Sequence, residues 1–305
     1  MMVLAFDTSN YTTSVAAFDG MEGHNVSRLL DVEQGSLGLR QSDALFAHVK
    51  RLPELTDRLF SDIGKHTISA IGVSTRPRAV EGSYMPCFLA GESQAKVLGS
   101  VLGIPVYEFS HQQGHIAASL WSSDHMELMD RPHLAWHLSG GTTELLHVTP
   151  EGVSVHAEKI GGTTDISAGQ LIDRTGKLLG LSFPAGKEID ALSREAEDTS
   201  FFKVKVHGME FSLSGVQNKV EQYHSGKPAE TAGYALRCLI GAIVKATENA
   251  LDQYPDCPVV FAGGVSSNSL LREKCRKLPA IFCPPRFSTD NALGTAVLAW
   301  RAHNE

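Results

Sequence analysis

The chain has little with which to staple itself, cross a membrane or grip a polyanion. Of its 305 residues only five are cysteine, at positions Cys87, Cys238, Cys257, Cys275 and Cys283. They are odd in number, scattered and without a CxxC pair, which argues against a disulfide framework and against a structural zinc knuckle. A reducing cytoplasm is therefore the expected home. No apolar run approaches the ~20 residues of a membrane span, so no membrane association is expected. The apolar start Met1 to Phe6 is interrupted by Asp7, and no basic segment or small-residue cleavage site follows, so a signal peptide is not expected either. Positive charge is also short. Lys and Arg number 27 against 34 Asp and Glu, for a net charge of −7. Nucleic-acid binding rests mainly on phosphate neutralisation, so this chain is not expected to hold a nucleic acid by itself. A local basic patch or a partner subunit would have to help.

What is present is an ordinary globular composition, 42% hydrophobic and 20% charged. The length exceeds the usual size of one core, and two lobes are expected, 1–130 and 131–305, with the last helix able to pack back onto the first.

The chemistry starts at Ser110-His111-Gln112-Gln113-Gly114-His115. A short apolar run precedes it, and Ile116 to Trp121 follows, which predicts a buried strand ending in His111 and handing over to a helix. Residues four apart share a helix face, so His111 and His115 are set to hold one metal ion and leave positions open for substrate. The other reading is a helix cap and a surface histidine, and in a chain with 13 histidines the spacing alone leaves both open. Asp290, near the start of the last helix, is either an ordinary N-cap or the carboxylate that completes the site.

In chain order, Val3–Phe6, a polar turn from Asp7 to Thr13, and Ser14–Phe18 predict a hairpin whose tip offers hydroxyls and N–H groups to an anion. Asn25–Glu33 adds a third strand. Arg40–Phe60 has helical spacing, with Pro53 expected to kink or split it. Ala70–Ser74 is a buried strand opening into the Arg76-Pro77-Arg78 loop, and a helix over about Tyr84–Leu102 follows. Strand–helix alternation predicts parallel strands. Then His133–Leu138, the turn Ser139-Gly140-Gly141-Thr142-Thr143 and Glu144–Val148 repeat the opening hairpin in type and order. A duplicated hairpin predicts two related α/β lobes around a shared central cleft, the arrangement of the actin-like ATPase and sugar-kinase superfold. Ile166–Leu179 reads as a helix that carries Asp173 beside its apolar face and ends at Gly180. A second short helix carries Asp190, and Thr231–Tyr254 is a long buried one. Gly263-Gly264 stands between a strand and the helix from Ser269, where backbone can approach a ligand.

Together these pieces resemble one family, the catalytic subunit of tRNA threonylcarbamoyladenosine synthesis, formerly described as an O-sialoglycoprotein endopeptidase. The resemblance is carried in order and spacing by His111–His115, Ser139–Thr143, Asp173 to Gly186, Phe211-Ser212-Leu213-Ser214-Gly215, Ala262–Asn268 and Ser288–Asn291. It implies one divalent metal ion, Fe2+ or Zn2+, on His111, His115 and Asp290. It implies a nucleotide or substrate loop at Ser139, Gly140, Gly141, Thr142 and Thr143, and an acyl-adenylate held by Asp173, Gly186, Asp190 and Asn268. The implied reaction moves a threonylcarbamoyl group from threonylcarbamoyl-AMP to N6 of adenosine 37 in tRNA. The implied partners are a related actin-like subunit and a small ATPase, with tRNA reached through the complex. A metal would polarise the carbamoyl group as the amine attacks. A protease of the HExxH kind would need Glu where Gln112 stands.

The departures from the family pattern concern the acceptor. Tyr11 and Thr12 hold the places of a usual Asp-Glu pair, and Arg76-Pro77-Arg78-Ala79-Val80 replaces a usual Gly-Pro-Gly-Leu. Arg76 and Arg78 either contact an acceptor or a phosphate, or form an exposed basic loop. Thr142 replaces a usual His, Ile166 a usual Asp, and Gln217-Asn218 a common Lys-Thr. Two alternatives follow: a paralogue that carbamoylates another acceptor, and a non-catalytic nucleotide-binding partner subunit. The retained His111, His115 and Asp290 argue against the second.

Overall fold

The structure is a computed structural model that describes residues 1–9, 11–31, 40–64, 66–287 and 290–305. Its first elements are β1 (Met2–Asp7), β2 (Thr12–Phe18), β3 (Gly23–Leu29), α1 (Gln41–Ile63), β4 (Ile68–Arg76), α2 (Leu89–Leu102), β5 (Val106–Ser110) and α3 (His111–Ser122). Then come β6 (His133–Leu138), β7 (Thr143–Glu151), β8 (Ser154–Thr163), α4 (Ala168–Leu178), α5 (Gly186–Ser193), β9 (Val206–His207), β10 (Glu210–Phe211) and α6 (Ser214–Tyr223). The chain closes with α7 (Pro228–Gln253), β11 (Val259–Ala262), α8 (Ser269–Lys274), β12 (Ala280–Phe282) and α9 (Leu293–Asn304). Two compact units result: Met1–Arg131 with Thr149–Ala157 and Asp290–Glu305, and Pro132–Val148 with Glu158–Thr289. Among the described residues no helix is long and apolar enough to cross a membrane.

The first unit is built on a five-stranded sheet ordered β3-β2-β1-β4-β5. β1 runs antiparallel to β2 and parallel to β4, and β4 runs parallel to β5. Every residue of β1 and β2 is buried, as in a strand covered on both faces. Side chains alternate along a strand. Met2, Leu4 and Phe6 therefore join Ile71 and Val73 in one core with Leu52, Leu55 and Leu59 of α1 and Ala90 and Ala95 of α2. Val3, Ala5 and Asp7 face the other way, together with Gly72 and Ser74, toward α9. A Cβ on Gly72 would lie 2.7 Å from the Thr295 carbonyl oxygen and 2.8 Å from Ala299 Cβ.

That second layer is packed backbone to backbone. A Cβ on Gly294 of α9 would fall 1.8 Å from the Gly114 carbonyl oxygen of α3, and one on Gly114 would fall 2.9 Å from Thr295 Oγ1. Leu293 to Ala299 are buried without a break, so α9 is an internal helix with no polar face there.

The second unit repeats the scheme. Its seven-stranded sheet is ordered β12-β11-β6-β7-β8-β10-β9. β6 is antiparallel to β7 and parallel to β11, which is parallel to β12, so the third-second-first-fourth-fifth order of the first sheet recurs. Its core gathers Trp136, Leu138 and Leu145 with Leu171 of α4, Ile189 of α5 and the apolar face of α7. Trp136 Nε1 donates to Thr247 Oγ1 at 2.9 Å, which removes the cost of burying the indole N–H.

Several local expectations are corrected. α1 runs unbroken through Pro53, because Leu52, Leu55 and Leu59 bury one apolar face while proline removes a single backbone donor. The helix expected from Tyr84 is a 3-10 turn at Pro86–Phe88 followed by α2. The strand before His111 ends at Ser110, and His111 is the first residue of α3. The third strand is Gly23–Leu29, and residues 32 and 33 lie outside the described ones.

Gly→Ala inside a helix ordinarily gains about 1 kcal/mol. Gly294→Ala is expected to lose about 1–3 kcal/mol instead, because overpacking meets backbone here. Urea unfolding of the purified protein checks the sign.

Candidate functional site

The start of α3 is fixed at three points. Ser110 Oγ accepts the Gln113 N–H at 3.2 Å and Gln113 Oε1 accepts the Ser110 N–H at 2.9 Å, a reciprocal capping box. Gln113 Nε2 donates to the Val155 carbonyl at 2.9 Å, and the Gln112 N–H donates to the Pro77 carbonyl at 3.0 Å. With the first turn so held, the His111 and His115 rings lie 4.3 Å apart at 81°.

Asp290 meets them from the far end of the sequence. Its Oδ1 is 3.1 Å from His115 Nε2 and 3.6 Å from His111 Nε2, and its Oδ2 accepts the Thr12 hydroxyl at 3.3 Å. The N-cap of α9 is Ala292, so Asp290 is not the plain cap considered above. One donor atom from each of His111, His115 and Asp290 falls within 4.8 Å of the others. Metal–ligand bonds of about 2.0–2.2 Å bring ligand atoms of one ion to comparable separations, so the three fit a divalent ion after small adjustment. Two imidazoles and one carboxylate suit zinc or non-haem iron and leave coordination positions open. The His111 and Asp290 side chains are 18% and 33% exposed, so the cluster is reachable.

Behind His111 stands Asp7, its carboxylate Oδ2 2.8 Å from His111 Nδ1. Burial disfavours charge on His111, but the neighbouring Asp7 and Asp290 outweigh it and raise its pKa from 6.5 to about 10. Burial likewise works against the Asp7 anion, yet the charge of His111 and hydrogen bonds from His111, Ser74 and Ser9 bring it down to about 2. Asp290, despite burial, is held well below the usual carboxylate range by both histidines.

Arg76 pairs with Ser110 in the β4–β5 register, so its loop begins beside the residue preceding His111. The Arg78 N–H donates to Ser83 Oγ at 3.0 Å within that loop. Of the altered first turn, Thr12 touches the site through Asp290, and the Tyr11 carbonyl accepts the Leu30 N–H at 2.7 Å.

In the second unit, the Ser139–Thr143 turn is docked on the start of α4. Ser167 Oγ donates to the Gly140 carbonyl at 2.6 Å, the Ala168 N–H donates to Thr143 Oγ1 at 2.7 Å, and the Gly169 N–H donates to the Ser139 carbonyl at 3.2 Å. Gly140 and Gly141 are exposed, and Thr142 closes the turn by donating its N–H to Ser139 Oγ at 3.0 Å. Asp173 accepts the Ala185 N–H at 2.9 Å, next to Gly186, and burial raises its pKa against that bond. Asp190 and Asn268 are joined directly. Asp190 Oδ1 accepts from Asn268 Nδ2 at 2.8 Å, the Ser269 N–H at 3.0 Å and Ser269 Oγ at 2.9 Å, and its Oδ2 pairs with Arg194 at 2.5 Å. Asp165, the aspartate that remains beside Ile166, receives the Ser212 and Ser214 hydroxyls and the N–H groups of Leu213 and Ser214. These bonds outweigh burial and hold it far below the usual range. The Phe211–Gly215 motif is thus anchored on Asp165.

Asp7, Ser74 and Thr295 were missed as site residues. The signal was present for Asp7, a carboxylate ending an otherwise apolar strand, which burial makes costly unless it is paired. Ser74 and Thr295 carried none, because their meeting depends on which strand and helix faces pack together.

The repeated strand order, with a His–His–carboxylate cluster in the first unit, defines the class: a duplicated actin-like ATPase and sugar-kinase fold carrying a candidate metal centre. Solved structures share this fold. HypF from T.kodakarensis matches with a TM-score of 0.63 and 12% identity over 99% of this chain and 47% of that one. The ADPNP-bound activator of 2-hydroxyisocaproyl-CoA dehydratase from Clostridium difficile matches with a TM-score of 0.55 and 14% identity over 99% and 95%. The family follows from sequence. The family model for tRNA N6-adenosine threonylcarbamoyltransferase (TsaD) matches residues 34–297. Curated proteins of that name from Streptococcus pneumoniae strains Taiwan19F-14 and Hungary19A-6 are 29% identical over 95% of this chain and 89% of their own length. The chain belongs to the TsaD family, whose members are acyltransferases.

The raised His111 pKa sets a pH dependence for the metal-free protein. The group contributes stability that is fully present below 6.5 and is lost as pH rises through about 10. Chelator-treated protein is expected to lose urea stability steadily across that window. His111→Gln is expected to flatten the slope, and an unchanged slope would count against the ion-pair geometry.

Proposed function

We propose that this protein transfers the threonylcarbamoyl group of threonylcarbamoyl-AMP to N6 of adenosine 37 in tRNA. The observation that carries the reading is the convergence of His111, His115 and Asp290 within 4.8 Å in a chain of this family. These residues would hold one divalent ion, Fe2+ or Zn2+. Such an ion, when bound, supplies Lewis-acid stabilisation of the charge that grows on the carbamoyl oxygen.

In the reaction the adenine N6 forms a bond to the carbamoyl carbon, the bond from that carbon to the phosphate oxygen breaks, and AMP leaves with the electron pair. The N6 proton passes to solvent or to AMP. AMP is a good leaving group, so orientation of the two substrates supplies much of the rate. Asp173 is suited to receive nucleotide hydroxyls, since its one hydrogen bond among the described residues, from the Ala185 N–H, leaves acceptor capacity. The exposed glycines of the Ser139–Thr143 turn and Gly186 allow close backbone approach. Asp190 has most of its capacity committed to Asn268, Ser269 and Arg194, which makes it the residue that sets Asn268 toward the nucleotide. Arg76 and Arg78 would offer guanidinium groups to a phosphate of substrate or acceptor. At a net charge of −7, contact with tRNA is assigned to a complex that includes a related actin-like subunit and a small ATPase.

The test is the threonylcarbamoyladenosine content of cellular tRNA, measured by nucleoside mass spectrometry. Deletion in a strain without another synthase gene is expected to abolish it. The wild-type gene is expected to restore it, and His115→Ala or Asp290→Ala to leave it at the deletion level. Unchanged tRNA after deletion would rule out this acceptor.

A further inference from the structure

We propose that Asp7, held by Ser74 and Thr295, is a positioning residue that makes His111 a metal ligand through Nε2. The inference rests on the metal reading above and adds residues that the motif pattern did not single out as part of the site. Asp7 is 1% exposed, and Ser74 and Thr295 are fully buried. The three come from β1, β4 and α9, and His111 comes from α3. They form one line of contacts: Thr295 Oγ1 lies 3.0 Å from Ser74 Oγ, Ser74 Oγ lies 2.6 Å from Asp7 Oδ2, and Asp7 Oδ2 lies 2.8 Å from His111 Nδ1. The other oxygen, Oδ1, accepts the Ser9 N–H at 2.9 Å.

The protons along this line have only one consistent arrangement. An ionised carboxylate only accepts, so Ser74 gives its single hydroxyl proton to Asp7. Ser74 can then only accept from Thr295, and the Thr295 hydroxyl is the donor. At the other end the carboxylate requires an N–H from His111, which places the proton on Nδ1. In the neutral imidazole that a metal ligand must be, this is the single N–H, so it is the Nε2 proton that an incoming metal displaces and the Nε2 lone pair that it takes. Nε2 is the atom that faces Asp290, at 3.6 Å, on the side where His115 also points. The hydroxyl pair and the carboxylate thus select the tautomer and fix the ring plane, as carboxylate partners of metal-ligating histidines do.

Asparagine at position 7 keeps the shape and breaks the logic. If its amide nitrogen takes the Oδ1 place, it meets the Ser9 N–H, which also donates. If it takes the Oδ2 place, it donates to His111 Nδ1 and drives the proton to Nε2, where the metal must bind.

The experiment uses the full-length protein freed of metal by chelator. Zn2+ affinity is measured by competition with a chromophoric chelator, Co2+ loading reports coordination through its d–d bands, and long-range proton–nitrogen spectra of the Zn2+ form report the His111 tautomer. Asp7→Asn is expected to weaken Zn2+ binding about 10- to 100-fold and to shift both the Co2+ bands and the tautomer signal. Ser74→Ala, which leaves the carboxylate and removes one donor, is expected to shift all three in the same direction by less. It decides the question if Asp7→Asn does not fold. Wild-type affinity no higher than that of His111→Ala overturns the metal reading and this inference with it. Tight wild-type binding, abolished in His111→Ala but unchanged in affinity and spectra in Asp7→Asn and Ser74→Ala, overturns this inference alone.

Discussion

The near-contact of α3 and α9 governs the first unit. Gly294 and Gly114 let the two helices approach until a single Cβ would strike the facing carbonyl. That approach places Asp290, just before α9, against the imidazoles of α3, and it carries Thr295 to Ser74. Helices separated by ordinary side chains lie about 8–10 Å apart. A side chain at Gly294 or Gly114 would meet the Gly114 carbonyl or Thr295 and push the two helices toward that ordinary spacing. The glycines therefore act on the site through spacing. Their weak helix propensity is offset by burial of the surrounding apolar residues of α9.

A second constraint is the burial of charge. Asp7 has almost no solvent contact, and a carboxylate placed so is tolerated only when paired and hydrogen-bonded. Ser9, Ser74 and His111 supply those partners, and the pairing raises the His111 pKa while lowering that of Asp7. Carboxylates with several hydrogen-bond donors also join elements in the second unit. Asp190 ties α5 to the start of α8, and Asp165 ties the end of β8 to the start of α6. Hydrogen-bonded carboxylates are thus the joints of both units, buried at Asp7, half-buried at Asp190 and exposed at Asp165.

The repeated strand order gives each unit its own opening hairpin turn. Each unit begins with an antiparallel hairpin followed by parallel strands in the same order. In the first unit the hairpin brings Asp7 and Thr12 to a cluster suited to a metal. In the second the equivalent turn, Ser139–Thr143, is tied by its backbone and hydroxyls to the N-terminus of α4. Thr12 places a neutral hydroxyl beside that cluster, where it donates to Asp290 Oδ2.

Much was legible in the sequence, and for identifiable reasons. Hydrophobic period and turn residues are local signals, so both hairpins, the strand–helix alternation and α3, α4, α5 and α7 could be read within a few residues. The His111–His115 spacing fixed a shared helix face. Order and spacing of the motifs carried the family, which the comparisons show. Local signals failed where local cost was overridden by burial, as at Pro53, and where a 3-10 turn preceded the helix, as at the start expected from Tyr84. Only the tertiary structure decided that Asp290 faces both histidines, that Thr12 holds its other oxygen, and that Asp7 bonds His111 directly while Ser74, itself beside Thr295, bonds Asp7. Those contacts join residues separated by 67 to 278 positions. Their geometry is set by which strand face meets which helix and how closely, and neither quantity is written in any one stretch of chain.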